Sequence, residues 1–373
     1  MSLVRNVKGG VFFGVAALER LVNYGGAAYS GPLREIKDFL LLQYPSALGT
    51  AVHATPLIPA LRNAVPGCRI AVAANGFALD VFRNNPGIDC LIETANPLKD
   101  LKSAVRTLRQ ELPFRGTTYA TLTSTGNERT LIAMQALLSG ASVRVGFTVV
   151  PGMYRVPLAF DGALSQIANN LRIVETLGHS PIHSEPEIFY SETDLATAHE
   201  TLALGGVEKG QPVAVFVTQT SVTQRKAWRA ERFRAAAEFL REQYGAYVLF
   251  VGTAAESAAI DELRGGLTFR TTNVAGKTTL RQLAAIVSLC NVGLTLDTGP
   301  MHIGRAVGLP MVIIAPAWSP PVEWLPLGNE MFRILKNADM PSAPADYIID
   351  EVSVAEVTSA LDELLTRYPR QRC

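Results

Sequence analysis

The sequence has little cysteine, and its four cysteines stand far apart at Cys68, Cys90, Cys290 and Cys373. No two of them form a C-x-x-C pair, so the spacing fits neither a disulfide framework nor a zinc site and is typical of a reducing compartment. An Asp-x-Asp motif and a cluster of histidine and cysteine are missing as well, and these are common sources of metal ligands. We therefore expect a protein without a bound metal or other cofactor.

A strong excess of charge of one sign is also missing. Lys and Arg total 34, Asp and Glu total 33, and the net charge is +1. This balance argues against a nucleic-acid partner, because a protein that binds nucleic acid needs cations against the phosphates.

Long hydrophobic runs are missing too, since none approaches the ~18 apolar residues that a membrane-spanning helix needs. The nearest candidate is the apolar stretch at residues 11–18, which is cut by Glu19 and Arg20. We interpret it as an extra helix packed on the first domain. A helix lying on the membrane surface is the alternative.

Apolar residues as a class are plentiful, at 48% of the chain, which is enough to build sizeable cores. Short apolar runs alternate with segments of helical spacing, which predicts an α/β fold with parallel sheets covered on both faces. Strands are predicted over residues 38–44, 68–75, 88–94, 118–124, 211–219, 246–252, 269–276, 292–297 and 310–317. Helices are predicted over residues 51–65, 98–112 and 354–368.

The alternation falters at residues 177–194, where Pro, Ser and His are typical of a linker. We predict a first Rossmann-like, doubly wound domain over residues 1–182, of which residues 1–35 are an extra segment. A second such domain covers residues 183–350, and residues 351–373 form a final helix. In sheets of this kind, ligands bind beyond the carboxyl ends of the strands.

One predicted strand end has the residues of an anion site. It is followed by Asp297, Thr298, Gly299 and Pro300, and His302 lies one turn into the next helix. Gly299 permits close approach of the backbone, and Pro300 suits a first helical turn because its missing N–H is not needed there. Free backbone N–H groups and the helix dipole favour a phosphate at this point. Simple capping of the helix by Asp297 or Thr298 is the alternative.

A second strand end has Thr218, Gln219, Thr220 and Ser221, followed by Lys226. Hydroxyl groups and a cation can hold a diphosphate by hydrogen bonds and point charge. A solvated polar loop is the alternative.

After a third strand, Glu256 could accept hydrogen bonds from a ribose or stabilise a helix start. Two other nucleotide motifs fail: Gly-Lys-Thr at residues 276–278 lacks the P-loop glycine at Thr271, and no G-x-G-x-x-G follows the first strand.

The segment DTGPMHIGRAVGLPMVIIAPAW at residues 297–318 resembles the nucleotide-sugar signature of glycosyltransferase family 9, the ADP-heptose:lipopolysaccharide heptosyltransferases. Residues 46–70, 225–240 and 273–286 are similar to other segments of that family. The resemblance implies a GT-B fold, in which two Rossmann-like domains face a central cleft. It places the acceptor in the N-terminal half, the nucleotide-sugar in the C-terminal half, and the final helix back on the N-terminal domain.

The resemblance also implies an inverting, metal-independent glycosyltransferase. The donor would be an ADP-sugar, expected to be ADP-heptose, and the acceptor a hydroxyl of a lipopolysaccharide-core-like or other glycan, free or lipid-linked. We further expect a cytoplasmic protein, with peripheral contact at the inner face of the membrane.

Carried over residue by residue, the resemblance assigns Glu256 to the ribose of the donor. The residues that would face its diphosphate are Thr218, Gln219, Thr220, Ser221 and Lys226. The residues that would line the rest of the donor site are Asp297, Thr298, Gly299, Pro300 and His302.

The family usually has Ser-x-x-Gly-Asp after its first strand, with the aspartate as general base, whereas residues 46–50 here are Ser-Ala-Leu-Gly-Thr. The hydroxyl of Thr50 is by itself too weak a base at neutral pH. His53, one helical turn on, is the candidate to replace it, with simple packing on the helix as the alternative. A base elsewhere in the cleft, a non-catalytic nucleotide-sugar-binding homologue and a GT-B nucleotide-sugar epimerase remain open.

Overall fold

The computed structural model describes Gly14 and residues 29–114, 116–219, 225–344 and 346–369. The chain divides into two compact units, Met1–Pro186 and Glu187–Cys373, and the boundary predicted after residue 182 lies close to this division. Most of the predicted N-terminal segment, including all of the apolar stretch at residues 11–18 except Gly14, lies outside the described residues.

The first unit is built on a six-stranded parallel sheet of order β3-β2-β1-β4-β5-β6. Its strands are β1 Asp38–Gln43, β2 Arg69–Ala74, β3 Cys90–Glu93, β4 Tyr119–Thr123, β5 Val143–Phe147 and β6 Val156–Leu158. Its helices are α1 Leu48–Val52, α2 Leu57–Ala64, α3 Phe77–Phe82, α4 Leu101–Glu111, α5 Thr130–Leu138 and α6 Gln166–Thr176. Short 3₁₀ turns lie at Leu33–Glu35 and Pro151–Met153.

The second unit repeats this plan with a six-stranded parallel sheet of order β12-β11-β10-β7-β8-β9. Its strands are β7 Val213–Val217, β8 Tyr247–Phe250, β9 Thr271–Asn273, β10 Val292–Leu296, β11 Met311–Ile314 and β12 Phe332–Leu335. Its helices are α7 Glu192–Gly205, α8 Ala230–Tyr244, α9 Ser257–Gly265, α10 Leu280–Ser288, α11 Gly299–Ala306, α12 Pro321–Trp324 and α13 Val354–Arg367. A 3₁₀ turn at Ala254–Glu256 precedes α9.

Both faces of the second sheet are covered by helices, as the apolar runs predict. Along β7, Phe216 packs into one core with side chains of α8, α9 and α13. Val215 and Val217 pack into the opposite core with side chains of α7 and α10. Successive side chains of a strand point to opposite faces, so a strand buried on both faces must be apolar throughout. The predicted α/β fold of doubly wound parallel sheets is therefore confirmed.

The helix predicted over residues 51–65 is divided into α1 and α2. Pro56 is the N-cap of α2, and a proline disfavours helical geometry at the residue before it. The hydroxyl of Thr55 donates to the carbonyl oxygen of Val52 at 2.8 Å, which satisfies a carbonyl at the end of α1.

The final helix α13 packs on the second sheet. Its apolar side chains Val357, Leu361 and Leu364 are buried in the core of the second unit, together with Phe216 and Trp228. The apolar stripe of α13 is thus buried against the second sheet. Packing of residues 351–373 back on the N-terminal domain stays a prediction.

None of the described helices combines the length and the apolar character that crossing a membrane requires.

A prediction concerns Gly146 in β5, which has a φ of +123°. A Cβ atom there would lie 2.2 Å from the backbone oxygen of Thr123 on the neighbouring strand. We expect Gly146→Ala to lower the free energy of unfolding by about 3 kcal/mol or more, because overlap and backbone strain add.

The matched control is Gly67→Ala, measured by the same urea or thermal unfolding. Gly67 has a φ of +74°, and no atom lies within 4 Å of its added Cβ. In Gly67→Ala only the unfavourable backbone conformation remains, and it should lower the free energy of unfolding by about 1 kcal/mol. Equal losses in the two variants would contradict the proposed overlap.

Candidate functional site

The strand order of the second sheet reverses between β7 and β10. The chain proceeds from β7 toward β8 and β9 on one side, and from β10 toward β11 and β12 on the other. The two strands are parallel and paired, with Val217 opposite Thr295. The turns after them therefore meet at the carboxyl edge of the sheet, which is where ligands bind in such folds. Both predicted phosphate-binding turns start at this point.

A buried ion pair joins the two turns. Lys226 Nζ donates to Asp297 Oδ2 at 2.7 Å and to the backbone oxygen of Asp297 at 3.0 Å. The side chains are only 13% and 4% exposed, respectively. A buried pair of this kind holds both partners in place, because removal of either would leave an uncompensated charge.

An aromatic ring completes the surroundings of Lys226. The centre of the Trp318 ring lies 5.7 Å from Lys226 Nζ, within the range of a cation–π interaction. Trp318 Nε1 donates to the backbone oxygen of Arg225 at 3.0 Å, which fixes the ring beside the turn that carries the lysine. The position of the ammonium group is thus fixed by the carboxylate and the carbonyl oxygen of Asp297 and by the indole of Trp318.

The helix α11 begins at this edge without a side-chain cap. Thr298, at its N-cap, makes no side-chain hydrogen bond to the first turn, and its hydroxyl instead donates weakly to the backbone oxygen of Leu296 at 3.4 Å. Gly299 and Pro300 form the first helical positions, and the first turn has no acidic residue. The positive end of the helix dipole is therefore available to an anion rather than capped by Thr298.

His302 is buried below this helix start. Burial lowers its pKa to about 4, with Arg305 and Lys226 acting in the same direction and Asp297 in the opposite one. Its ring meets that of Trp324 edge-on, with the centres 5.9 Å apart. At neutral pH the imidazole is uncharged and can offer one donor and one acceptor.

The structure describes some of the remaining residues that are predicted for the donor site. Thr218 is buried at the end of β7, and its hydroxyl accepts from Gln219 Nε2 at 3.4 Å. Thr220 and Ser221 lie outside the described residues.

Glu256 has a local structural role. Its carboxylate accepts from the backbone N–H of Thr253 at 2.7 Å, as part of a capping box at the start of the turn before α9. This is the helix-stabilising alternative, and contact with a ribose stays a prediction.

In the first unit, Thr50 lies inside α1 and His53 forms its C-cap. Both are buried, and His53 is only 1% exposed. The backbone oxygen of His53 accepts from Asn170 Nδ2 at 3.0 Å. This burial favours the packing alternative for the histidine, while its role as general base stays a prediction.

The sequence analysis did not single out Trp318, Trp324 or Glu128. Trp318 follows the predicted strand at residues 310–317, and Glu128 follows the one at residues 118–124, so the general rule for strand ends could have found both. Within the described part of the chain, no group of three or more His, Cys, Asp or Glu side chains could hold a metal ion.

The sequence profile described as glycosyltransferase family 9 (heptosyltransferase) matches residues 156–345, half of the chain. This match includes the whole second sheet and both turns of the site. The chain is 22% identical over 334 residues to a lipopolysaccharide heptosyltransferase 3 of Escherichia coli, covering 85% of this chain and 96% of that protein.

Two solved structures are similar along most of their length. A family 9 glycosyl transferase from Veillonella parvula has a TM-score of 0.79 and 20% identity, with 92% of this chain and 100% of that chain covered. The ADP-heptose lipopolysaccharide heptosyltransferase II of Escherichia coli has a TM-score of 0.70 and 20% identity, with 88% and 98% covered. These likenesses support the GT-B fold. Together with the family profile over the second sheet, they lead to the conclusion that this chain belongs to glycosyltransferase family 9.

Proposed function

We propose that this family 9 glycosyltransferase moves a heptose from ADP-heptose to a hydroxyl group of a lipopolysaccharide-core-like or other glycan acceptor. The transfer inverts the anomeric centre and needs neither a metal ion nor another cofactor. The observation that carries the proposal is the uncapped start of α11 beside the Lys226–Asp297 pair, where β7 and β10 end. The second unit binds the donor, and the first unit binds the acceptor.

In this proposal the diphosphate of the donor lies on the N-terminus of α11. The N–H groups of the first turn and the ammonium of Lys226 face the oxygen atoms that gain charge as the sugar–phosphate bond breaks. Asp297 keeps the lysine in position, so that little reorganisation is needed in the transition state. This arrangement supplies the positive charge that a metal ion supplies in other transferases.

His302 is proposed to contribute as a neutral group. Burial disfavours a charged imidazole at this position, and the positive charges of Arg305 and Lys226 disfavour it further. A neutral imidazole can orient the donor by hydrogen bonding without changing the net charge of the site.

The proposed compartment is the cytoplasm, with a lipid-linked acceptor met at the inner face of the membrane. Cys68, Cys90 and Cys290 are free thiols, which supports a reducing compartment.

The experiment that tests the proposal incubates the protein with ADP-heptose and truncated lipopolysaccharide-core acceptors, with and without EDTA. We expect ADP release coupled to a glycosylated acceptor by mass spectrometry, inverted anomeric configuration by NMR, and an unchanged rate in EDTA. Free epimerised sugar nucleotide without transfer would instead identify an epimerase. Loss of the rate in EDTA, restored by a divalent cation, would contradict metal independence.

A second candidate function is nucleotide-sugar binding without catalysis. Thr50 favours it, because the family usually has its general base at this position. Calorimetry that shows tight ADP-heptose binding, with no turnover even in Thr50→Asp, would support this alternative.

The phosphate role of Lys226 gives a prediction that compares two variants. Asp297→Asn keeps the lysine, and the double variant Lys226→Met with Asp297→Asn removes it without leaving a buried carboxylate unpaired. We expect the double variant to bind ADP about 10- to 100-fold more weakly than Asp297→Asn, as for the loss of a charged hydrogen bond. Adenosine has no phosphate, so its affinity should be the same in both. Titration calorimetry measures both ligands, and equal losses for ADP and adenosine would exclude phosphate as the target.

The buried His302 gives a pH prediction. Its folded pKa of about 4 lies below the unfolded value of 6.5, so the unfolded chain binds the proton more readily. Stability through this group is complete above pH 6.5 and is lost as the pH falls toward 4, by up to about 3 kcal/mol. His302→Gln should reduce the slope of the unfolding free energy against pH between pH 6.5 and 4. Urea denaturation at several pH values measures this slope. An unchanged slope would show that His302 titrates normally.

A further inference from the structure

The first sheet has its own reversal of strand order, between β1 and β4. These strands are parallel and paired, with Leu42 opposite Thr123. The chain that leaves β1 enters α1, which contains Thr50, and the chain that leaves β4 forms a turn at residues 124–129 before α5. The two segments therefore lie at the same carboxyl edge, where ligands of such sheets bind.

Buried hydrogen bonds fix the turn after β4 to the end of β1. Asn127 Oδ1 accepts from the backbone N–H of Tyr44 at 2.6 Å, and Asn127 Nδ2 donates to Ser124 Oγ at 3.0 Å. Gln43 Nε2 donates to the same hydroxyl at 2.9 Å. Since all these groups are buried, breaking any one of them would cost more than an exposed bond, and the turn is held in one position.

This turn contacts Thr50 through a glycine. Gly126 has a φ of +76°, and a Cβ atom added there would lie 2.3 Å from Thr50 Cγ2. The side chain of Glu128 returns toward the same glycine, because the backbone N–H groups of Gly126 and of Glu128 itself lie close enough to its carboxylate to act on its pKa. The carboxylate and the side chain of Thr50 therefore lie beside one residue.

We infer that Glu128 is the general base of the transfer, in place of the aspartate that the family usually has at the position of Thr50. The inference rests on the proposed function. A carboxylate at position 50 would lie next to Gly126, and the longer side chain of Glu128 brings the same group there from the neighbouring turn. Glu128 is partly exposed, whereas His53 is almost fully buried.

The step is a single displacement. The carboxylate of Glu128 takes the proton of the acceptor hydroxyl while the acceptor oxygen forms a bond to the anomeric carbon of the sugar. The bond from that carbon to the phosphate oxygen breaks, and its electron pair leaves with ADP. The proton passes from Glu128 to water after the product departs.

The charges around Glu128 suit this role. Burial raises the pKa of its carboxyl above the ordinary value, while the two backbone N–H groups and Arg129 act in the opposite direction. The phenol of Tyr154 also lies near enough to interact with it. A carboxylate with a raised pKa is a stronger base.

The test compares kcat for the native protein, Glu128→Gln, Thr50→Asp with Glu128→Gln, and the control Glu93→Gln. Glu93 is an exposed carboxylate at the carboxyl end of β3 in the same sheet. We expect Glu128→Gln to lose about 10²- to 10⁴-fold in kcat. The affinity for ADP by calorimetry and the melting temperature should stay near the native values, since glutamine has the same shape. Glu93→Gln should be as active as the native protein.

The double variant separates catalysis from structure. If Glu128 only stabilises its turn, Thr50→Asp will restore nothing, but if a base is missing, Asp at position 50 should raise kcat at least tenfold over Glu128→Gln. Native turnover together with kcat of Glu128→Gln within threefold of native would overturn the inference alone. No native turnover of ADP-heptose with any acceptor would overturn the proposed function and this inference with it.

Discussion

The constraint on which the molecule depends is the burial of both faces of each parallel sheet. Helices cover the faces of the sheets. Polar groups that contact a ligand therefore lie at the carboxyl edge of the strands. Strand order reverses once in each sheet, between β1 and β4 and between β7 and β10, and the turns diverge there. The residues with chemical interest follow these four strands, and the rest of the chain holds those turns in place.

The side chains of the candidate site in the second unit carry little net charge. Lys226 is balanced by Asp297, and burial keeps His302 neutral, so the net contribution of side chains is small. No side chain caps the oriented N–H groups at the start of α11. Their contribution to the positive character of the site is therefore larger than the number of cationic side chains alone would indicate. In the proposed function, such a site would bind the diphosphate of the donor mainly through the oriented N–H groups of α11.

In the inferred mechanism, the first unit keeps a carboxylate at the same sheet edge although a different residue supplies it. A threonine stands at position 50, and a carboxylate from the turn after β4 reaches the glycine that this threonine contacts. Two adjacent turns at one sheet edge are interchangeable sources of a side chain, because their positions are set by the paired strands and by the buried amide of Asn127.

The sequence by itself determined the local structure and the character of the fold. Nine predicted strands are confirmed, because most of them contain short apolar runs of the kind that is typical of strands buried on both faces. β5, β6 and β12 were missed because Arg144, Pro157 and Arg333 interrupt their apolar runs. The uncapped helix start at Gly299 also followed from local sequence, since a helix start depends mainly on the residues beside it.

Only the tertiary structure decided which distant residues meet. The pairing of Lys226 with Asp297, the packing of α13 on the second sheet and the proximity of Gly126 to Thr50 depend on strand order. The spacing of residues along the chain contains periodicity but not strand order, which is set by how the helices and strands pack together.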